Sequence, residues 1–389
     1  MFSIRRRMIS IFAVAVCMTF AGAKAEDAAS SAKEKSGSIN VYIGTYTGKK
    51  SQGIYLCRLD PKSGALSKPE LAGEMINPSW VTIHPNHKFL YACGEYGPFK
   101  GGSAIGAFAI KPDGTLTALN QQPSGGGGPC YMVVDKAGKN VLVANYGTGS
   151  VADLPIGADG ILSPPDSIDQ HPNTDPKRKP HAHCIDLDAA NHFAISCDAG
   201  LDKLFVYHFD SDNGTLTAND PPTAALPPKA APRHLVFSHD QRFVYVITEA
   251  ALTVTVFTYD AEHGVLHDIQ TISTLPEGFT GKGLSTAELI MHPSGKFLYG
   301  SNRGHDSIVG YAVDQATGKL TLVGHTPTQG KTPRGFGIDP TGQWLIAGNQ
   351  NSDSLVEFKI DQKSGELSPT GTKFELGAPV CVKFMEMGR

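Results

Sequence analysis

The sequence predicts an all-β protein, a seven-bladed β-propeller built of four-stranded antiparallel blades. The first indication is a Gly-x-Leu motif that recurs seven times, at intervals of about 46 to 54 residues. Its glycines are Gly64, Gly114, Gly160, Gly214, Gly264, Gly318 and Gly365. Self-similarity at such a period is typical of propellers, in which each repeat is one blade.

The second indication is a pair of β-rich runs joined by a short turn within each repeat. One copy is Trp80-Val-Thr-Ile, the turn His84-Pro, and then Phe89-Leu-Tyr-Ala. Val, Ile, Tyr and Phe at alternating positions, bounded by Gly, Pro and Asp, indicate strands. No segment sustains a helical period, so each repeat is predicted to hold four short strands.

The two chain ends are predicted to share a blade. Residues 39–44 resemble the second strand of the other repeats, which leaves blade one without an innermost strand. Residues 379–384 resemble a first strand, so we expect the C-terminal strand to close the ring.

Two sandwich domains are the alternative fold, but the chain has no composition break near its middle. The Pro-rich stretches 163–180 and 219–232 fall between repeat elements and are interpreted as loops. Whether 163–180 forms a lid stays open.

The N-terminus has the pattern of a cleaved secretory signal. Arg5, Arg6 and Arg7 precede an apolar stretch over 8–20, and Ala23-Lys24-Ala25 offers small residues at a cleavage site. A membrane anchor is the alternative, but about 13 apolar residues span a bilayer poorly. We therefore predict a signal peptide at 1–25, a flexible segment at 26–37 and a single propeller domain at 38–389. The mature protein is expected to be periplasmic or secreted.

Composition narrows the range of partners. Only 18% of residues are charged and the net charge is −3; signal cleavage removes four positive charges and makes it more negative. A nucleic-acid partner is therefore excluded, and no membrane contact is expected after cleavage.

Six cysteines remain after signal cleavage, and Cys184 and Cys197 flank a predicted tight turn, which makes them a candidate disulfide. The oligomeric state stays open.

Polar residues converge on one mouth of the predicted propeller. Because neighbouring strands are antiparallel, the start of each first strand and the end of each second strand lie at the same face. The first strands start at Ser79, Cys130, His183, Arg233, Glu288, Arg334 and Val380. The second strands end at Tyr46, Glu95, Tyr146, Asp198, Glu249, Arg303 and Gln350. Such convergence is typical of a binding site, although channel positions are solvated, and so polar, in any propeller.

Several motifs, in order, resemble one known family. They are Tyr42-Ile-Gly-Thr-Tyr-Thr, Val143-Ala-Asn-Tyr-Gly, Pro180-His-Ala-His183, Pro232-Arg-His, Ala287-Glu-Leu, Ser301-Asn-Arg-Gly-His-Asp and Gly348-Asn-Gln-Asn-Ser-Asp. Together they resemble the seven-bladed propeller lactonases, which include a bacterial 6-phosphogluconolactonase and a fungal carboxymuconate cyclase. The resemblance covers residues 38–385.

The resemblance implies an active site of one His, two Arg and one Glu. By motif these fall on His183, Arg233, Arg303 and Glu249, all of which belong to the mouth. Four further mouth residues, Arg334, Glu288, Tyr146 and Glu95, are predicted to bind substrate, as is the neighbouring His181.

These residue types suit the opening of a lactone ring. A His with a pKa near 6.5 can activate water at neutral pH, and Arg233 and Arg303 supply fixed positive charge for the developing oxyanion. Glu249, between two arginines, is expected to orient water or an arginine rather than to donate a proton. His181 and His183 lack a third metal ligand at a recognisable spacing, so neither a metal nor another cofactor is predicted.

The sequence therefore favours a carboxylic-ester hydrolase acting on a small sugar-acid or related lactone, similar to 6-phosphogluconolactonase. Because the protein is predicted to be exported, we expect its lactone substrate to be unphosphorylated. Two alternatives remain: a carboxymuconate-type lactonising cyclase, and a propeller that binds a ligand without catalysis.

Overall fold

The computed structural model describes residues 37–95 and 104–385. Within them, 28 strands form seven four-stranded antiparallel sheets, which confirms the predicted propeller. The predicted signal peptide and nearly all of the predicted flexible segment lie outside the described residues. In this part of the chain, no helix has the length and apolar character that crossing a membrane requires.

The first three blades use the strands up to residue 170, together with the last strand of the chain. Their strands are β1 (Ile39–Thr45), β2 (Gly53–Leu59), β3 (Glu70–Glu74), β4 (Pro78–Ile83), β5 (Phe89–Gly94), β6 (Ala104–Ile110), β7 (Leu116–Pro123), β8 (Pro129–Val134), β9 (Asn140–Asn145), β10 (Ser150–Pro155) and β11 (Ser167–Gln170).

Blades four and five follow in the same order. Their strands are β12 (Ala182–Leu187), β13 (Phe193–Asp198), β14 (Lys203–Asp210), β15 (Thr215–Ala225), β16 (Pro232–Phe237), β17 (Phe243–Thr248), β18 (Thr253–Asp260) and β19 (Val265–Ser273).

Blades six and seven complete the chain. Their strands are β20 (Ser285–Met291), β21 (Phe297–Arg303), β22 (Ser307–Val313), β23 (Leu320–Pro327), β24 (Pro333–Ile338), β25 (Trp344–Asn349), β26 (Ser354–Ile360) and β27 (Leu367–Glu375); β28 (Pro379–Phe384) then returns to blade one. A single 3₁₀ turn, Gln350–Ser352, follows β25.

The repeated glycine joins each blade to the one before it. Gly160 has a φ of +80°, which favours glycine, and a Cβ there would lie 2.3 Å from the ring of Phe89 in the preceding blade. The buried Tyr91 hydroxyl also donates a hydrogen bond to the Gly160 carbonyl, at 3.1 Å. Gly365 meets Phe297 and Tyr299 in the same way. The motif recurs because each blade interface needs a turn without a side chain.

The last strand closes the ring, as predicted. β28 pairs antiparallel with β1, with Ile43 opposite Val382 and Val41 opposite Phe384. The backbone N–H of Met385 adds a hydrogen bond to the Asn40 carbonyl, at 2.8 Å. The first blade therefore contains both ends of the propeller domain.

A β-bulge interrupts the start of each inner strand and sets the direction of the mouth residues. In six blades, one residue of the inner strand is skipped in the pairing with its neighbour. The skipped residues are Ser79, Cys130, His183, Arg233, Arg334 and Val380. In β20 two residues, Ala287 and Glu288, are skipped. A bulge re-aims the side chain that it leaves unpaired, so an irregularity of the repeat positions the mouth.

The candidate disulfide between Cys184 and Cys197 is not formed. The two residues lie directly opposite each other across β12 and β13, as the turn predicts. Both are buried thiols in the structure.

Ring closure predicts a sharp dependence of stability on the last strand. Removing residues 379–389 takes away every hydrogen bond between β28 and β1 and exposes the inner edge of β1. We expect the cooperative thermal transition, followed by circular dichroism, to be lost. Removing only 386–389 leaves each of those pairs in place and should preserve the melting curve. An unchanged curve after the longer deletion would contradict the closure.

Candidate active site

A carboxylate between two arginines lies at the mouth. Glu249 directly follows β17, and its Oε1 is 2.9 Å from Nη2 of Arg303, the last residue of β21. Its Oε2 is 3.3 Å from Nε of Arg233. Burial alone would raise the pKa of Glu249, but Arg233 and Arg303 outweigh it and hold this pKa below its usual value. Glu249 is therefore a carboxylate at neutral pH.

Backbone carbonyls of blade six fix the two guanidinium groups. Arg233 Nη1 donates to the Ala287 carbonyl and Arg303 Nη2 donates to the Thr286 carbonyl, each at 2.6 Å. Burial, with repulsion from the other mouth arginines, lowers the pKa of Arg233 to about 10, so this side chain stays protonated at neutral pH. Both arginines are thereby held rigidly, as charge stabilisation in a site requires.

A third arginine approaches from blade seven. The Arg334 guanidinium lies over the ring of Tyr46, 5.5 Å from its centroid. The Tyr46 hydroxyl donates a hydrogen bond to Glu95 Oε2, at 2.6 Å. Burial alone would lower the pKa of Arg334, but Tyr46 and Glu95 outweigh it and raise this pKa. Among the ion pairs of the described residues, none involves Arg334.

His183 is buried beside these cations, with 5% of its surface exposed. Its Nδ1 lies 3.8 Å from Cys130 Sγ. Burial, and then the positive charge of Arg233, holds the pKa of His183 well below 6.5. The sequence argument assumed an unperturbed pKa near 6.5, and that assumption is wrong. The ring is neutral, and so able to accept a proton, throughout the neutral range.

An aromatic face lies next to His183. Tyr146, which directly follows β9, is 41% exposed. Its ring stacks on His181 at a centroid distance of 4.5 Å and meets His183 edge-on at 5.5 Å. His181 is held by a 2.9 Å contact between its Nδ1 and the Tyr146 carbonyl. Tyr146 and His181 thus form an accessible rim beside the buried imidazole.

Glu288 lies deeper than the sequence suggests. Its side chain is buried, and its Oε1 is 2.8 Å from His234 Nδ1. It also lines a cavity of about 710 Å³ with Trp80, Asp186 and Lys383. The remaining lining residues include the ends of the inner strands, so this cavity opens at the face opposite the mouth.

Sequence reasoning did not select Tyr46 or His234 as site residues. Tyr46 was among the strand ends of the mouth, but nothing in the sequence showed that it would bind Glu95 and support Arg334. His234 follows Arg233, and in a regular strand neighbouring side chains face opposite sides. The bulge breaks this alternation and brings the His234 ring within 3.1 Å of the Arg233 guanidinium. The Pro-Arg-His motif is the signal that pointed to this position.

The mouth is suited to binding an anion. Arg233 and Arg303 share the single carboxylate of Glu249, and Arg334 has no ion pair among the described residues. Each arginine feels repulsion from another, which a bound anion would relieve. In residues 37–95 and 104–385, no group of three or more His, Cys, Asp or Glu side chains is arranged to hold a metal ion.

A closed seven-bladed ring with arginines, a carboxylate and a buried histidine at one mouth defines a class of propeller enzyme. The family described as "Lactonase, 7-bladed beta-propeller" matches residues 40–384. The chain belongs to this family.

Relatives and solved structures agree with that assignment. A 6-phosphogluconolactonase of Bacillus subtilis is 36% identical over 302 residues, which cover 77% of this chain and 84% of the relative. A 6-phosphogluconolactonase of Formosa agariphila is 30% identical over 77% of this chain and 86% of its own length. The structure of a periplasmic gluconolactonase of Pseudomonas aeruginosa is 33% identical, with a TM-score of 0.83 over 89% of this chain and 99% of that one.

The electrostatic coupling of Glu249 to Arg303 predicts a measurable shift. Because the positive charge of Arg303 favours the ionised carboxylate, Arg303→Ala should move the Glu249 titration to higher pH. Carboxyl ¹³C NMR over a pH series, with the Glu249 signal assigned from Glu249→Gln, provides the measurement. Arg242→Ala, which removes an exposed arginine paired with Asp240, is the control and should leave the Glu249 titration unchanged. An unmoved Glu249 titration in Arg303→Ala would refute the coupling.

Proposed function

We propose that this chain is a metal-independent lactonase that hydrolyses a small sugar-acid or related lactone at the mouth formed by His183, Arg233, Glu249 and Arg303. The convergence of rigidly held arginines beside a buried, neutral imidazole carries the proposal. Membership of the lactonase family and the names of the relatives support it.

In the proposed reaction His183 acts as the general base. Its Nδ1 faces Cys130, so Nε2 is the nitrogen available to take a proton from the attacking water. The new bond forms between the water oxygen and the lactone carbonyl carbon, and the carbonyl oxygen becomes negative. The bond from that carbon to the ring oxygen then breaks, and His183 returns its proton to the departing oxygen. The products are a hydroxy acid and the unchanged enzyme.

Arg233 and Arg303 stabilise the negative oxygen. Fixed charges in a partly desolvated site need no reorganisation as the oxyanion forms, and removing one such donor typically costs about 10²–10³ in kcat. Glu249 is ionised and shared between them, so it keeps the two guanidinium groups in place and is unsuited to proton donation. The low pKa of His183 makes it a weak base, and activation of the carbonyl by the arginines compensates for this.

Loss of the base should reduce turnover without unfolding the protein. We expect His183→Ala to lower kcat for glucono-δ-lactone by roughly 10²–10⁴-fold, the usual contribution of general base catalysis. Acid release at pH 6 to 6.5 is the measurement, because spontaneous ring opening is slower there. His263→Ala removes an exposed histidine paired with Asp260 and is the matched control.

The same assay tests the alternatives. Wild-type turnover by His183→Ala would remove this residue from the mechanism. A wild-type protein that accelerates the hydrolysis of no lactone, but binds hydroxy acids at the mouth, would support a non-catalytic propeller instead.

Arg334 is proposed to bind an anionic group of the substrate away from the reacting carbonyl. It is the mouth arginine without an ion pair in the described chain, and its guanidinium lies over Tyr46, whose hydroxyl binds Glu95. A carboxylate on a sugar-acid lactone would give it the planar, bidentate partner that guanidinium groups prefer.

Arg334→Gln should discriminate between substrates by their charge. We expect KM for an anionic lactone, such as a glucaric acid lactone, to rise by about tenfold or more, as the loss of one charged hydrogen bond implies. KM for the neutral glucono-δ-lactone should change little. Arg242→Gln, on the exposed surface, is the control. Equal losses for the neutral and the anionic lactone would contradict an anion subsite at Arg334.

Export is a further part of the proposal. A signal peptide at 1–25 would deliver the propeller to the periplasm or beyond, where an unphosphorylated lactone is the expected substrate. We expect the protein recovered from the periplasm of a Gram-negative host to begin at Glu26, as intact mass spectrometry would show. Replacing Ala23 and Ala25 by leucine should retain the precursor in the cell. A full-length wild-type chain in the cytoplasm would contradict export.

A further inference from the structure

Two residues of blade six bind the side chains of Arg233 and His234. The Ala287 carbonyl accepts a hydrogen bond from Arg233 Nη1 at 2.6 Å. The next residue, Glu288, contacts His234, which follows Arg233 in the chain. Glu288 Oε1 lies 2.8 Å from His234 Nδ1. Both Ala287 and Glu288 lie in the bulged part of β20, which turns consecutive residues toward blade five.

His234 contacts both of the side chains to which the mechanism gives the main roles. Its Nε2 lies 3.1 Å from Arg233 Nη1, and its ring centroid is 5.3 Å from that of His183. Trp80 and Tyr131 pack edge-on against the same ring, at 5.2 and 5.0 Å. Packing thus confines the His234 ring, and the 2.8 Å contact between Nδ1 and Glu288 orients it, with Arg233 Nη1 near both ring nitrogens and closer to Nε2.

One oxygen of Glu288 is already occupied, and the residue lines the cavity at the face opposite the mouth. The same Oε1 accepts the backbone N–H of Leu289, at 3.1 Å, and 4% of the residue is exposed. The cavity that it lines opens at the opposite face of the propeller. A substrate that touches His183 from the mouth would meet Tyr146 and His181, with His234 lying between it and Glu288.

We propose that Glu288 and His234 are positioning residues that hold Arg233 and His183 in their reactive arrangement, and that Glu288 does not bind substrate as the sequence predicts. This inference rests on the proposed lactonase function. Glu288 anchors His234 Nδ1, and the anchored ring supports the guanidinium of Arg233 on one side and the imidazole of His183 on another.

Steady-state kinetics separate positioning from substrate binding. In Glu288→Ala we expect kcat to fall about 10–100-fold, as a small misplacement of catalytic groups does, with KM within about twofold of wild type. Glu288→Gln should stay within about threefold of wild type in kcat, because its amide oxygen accepts the same hydrogen bond. Asp186→Asn, which changes another acid of the same cavity without touching His234, is the control and should behave as wild type.

Three kinetic results would overturn the proposal. A raised KM with unchanged kcat in Glu288→Ala would restore the substrate-binding role. Equal damage in Glu288→Gln and Glu288→Ala would show that the charge, and not the hydrogen bond, matters. A loss of the same size in Asp186→Asn would show a general effect of the cavity.

A second measurement does not depend on turnover. Long-range ¹H–¹⁵N spectra of the histidine rings should show a hydrogen-bonded Nδ1–H of His234, assigned by its absence in His234→Phe. It should persist in Glu288→Gln and disappear in Glu288→Ala, with a shift of the His183 signals. Unmoved His183 signals in Glu288→Ala would refute the positioning role. A wild-type protein that hydrolyses no lactone would refute the proposed function alone, because this spectrum still decides whether Glu288 orders the two rings.

Discussion

The pairing of β28 with β1 is the constraint on which the rest of the structure depends. Seven small sheets bury their faces only against one another, so a ring that is open at one interface would expose two blade faces and two strand edges. The last strand of the domain pairs with the first and removes that opening. Closure also sets the distances across the mouth, because residues from blades four to seven meet only if all seven blades complete the circle.

Within the ring, regular and irregular features have separate roles. The repeated glycine turns and the tyrosine hydroxyls that bind their carbonyls make each blade fit the one before it, as at Tyr91 and Gly160. The bulges at the starts of the inner strands interrupt the regular pairing and point His183, Arg233 and Arg334 into the channel. Stability thus comes from what the blades share, and chemistry from the mouth positions, at which they differ. Burying several like charges together is unfavourable, and Glu249 offsets part of that repulsion.

Much of the candidate site was predictable because propeller geometry relates sequence position to location. Once the repeat is recognised, the starts of first strands and the ends of second strands must share a face, and this brings Arg233, Glu249 and Arg303 together from positions up to 70 residues apart. The same rule gives the backbone position of Glu288 but not the direction of its side chain. A two-residue bulge in β20 turns that carboxylate toward His234 and the far cavity.

The sequence by itself determined the number of blades, the order of their strands, the closing role of residues 379–384 and the residue types at the mouth, since these follow from local periodicity and chain order. Only the tertiary structure decided which side chains touch and in which protonation state. The pKa of His183 depends on burial and on Arg233, which is 50 residues away in the chain. Cys184 and Cys197 lie opposite each other without a disulfide bond, and His234 joins Glu288 to the mouth. These properties depend on distances between blades and on exclusion of water, and both arise only when the ring is closed.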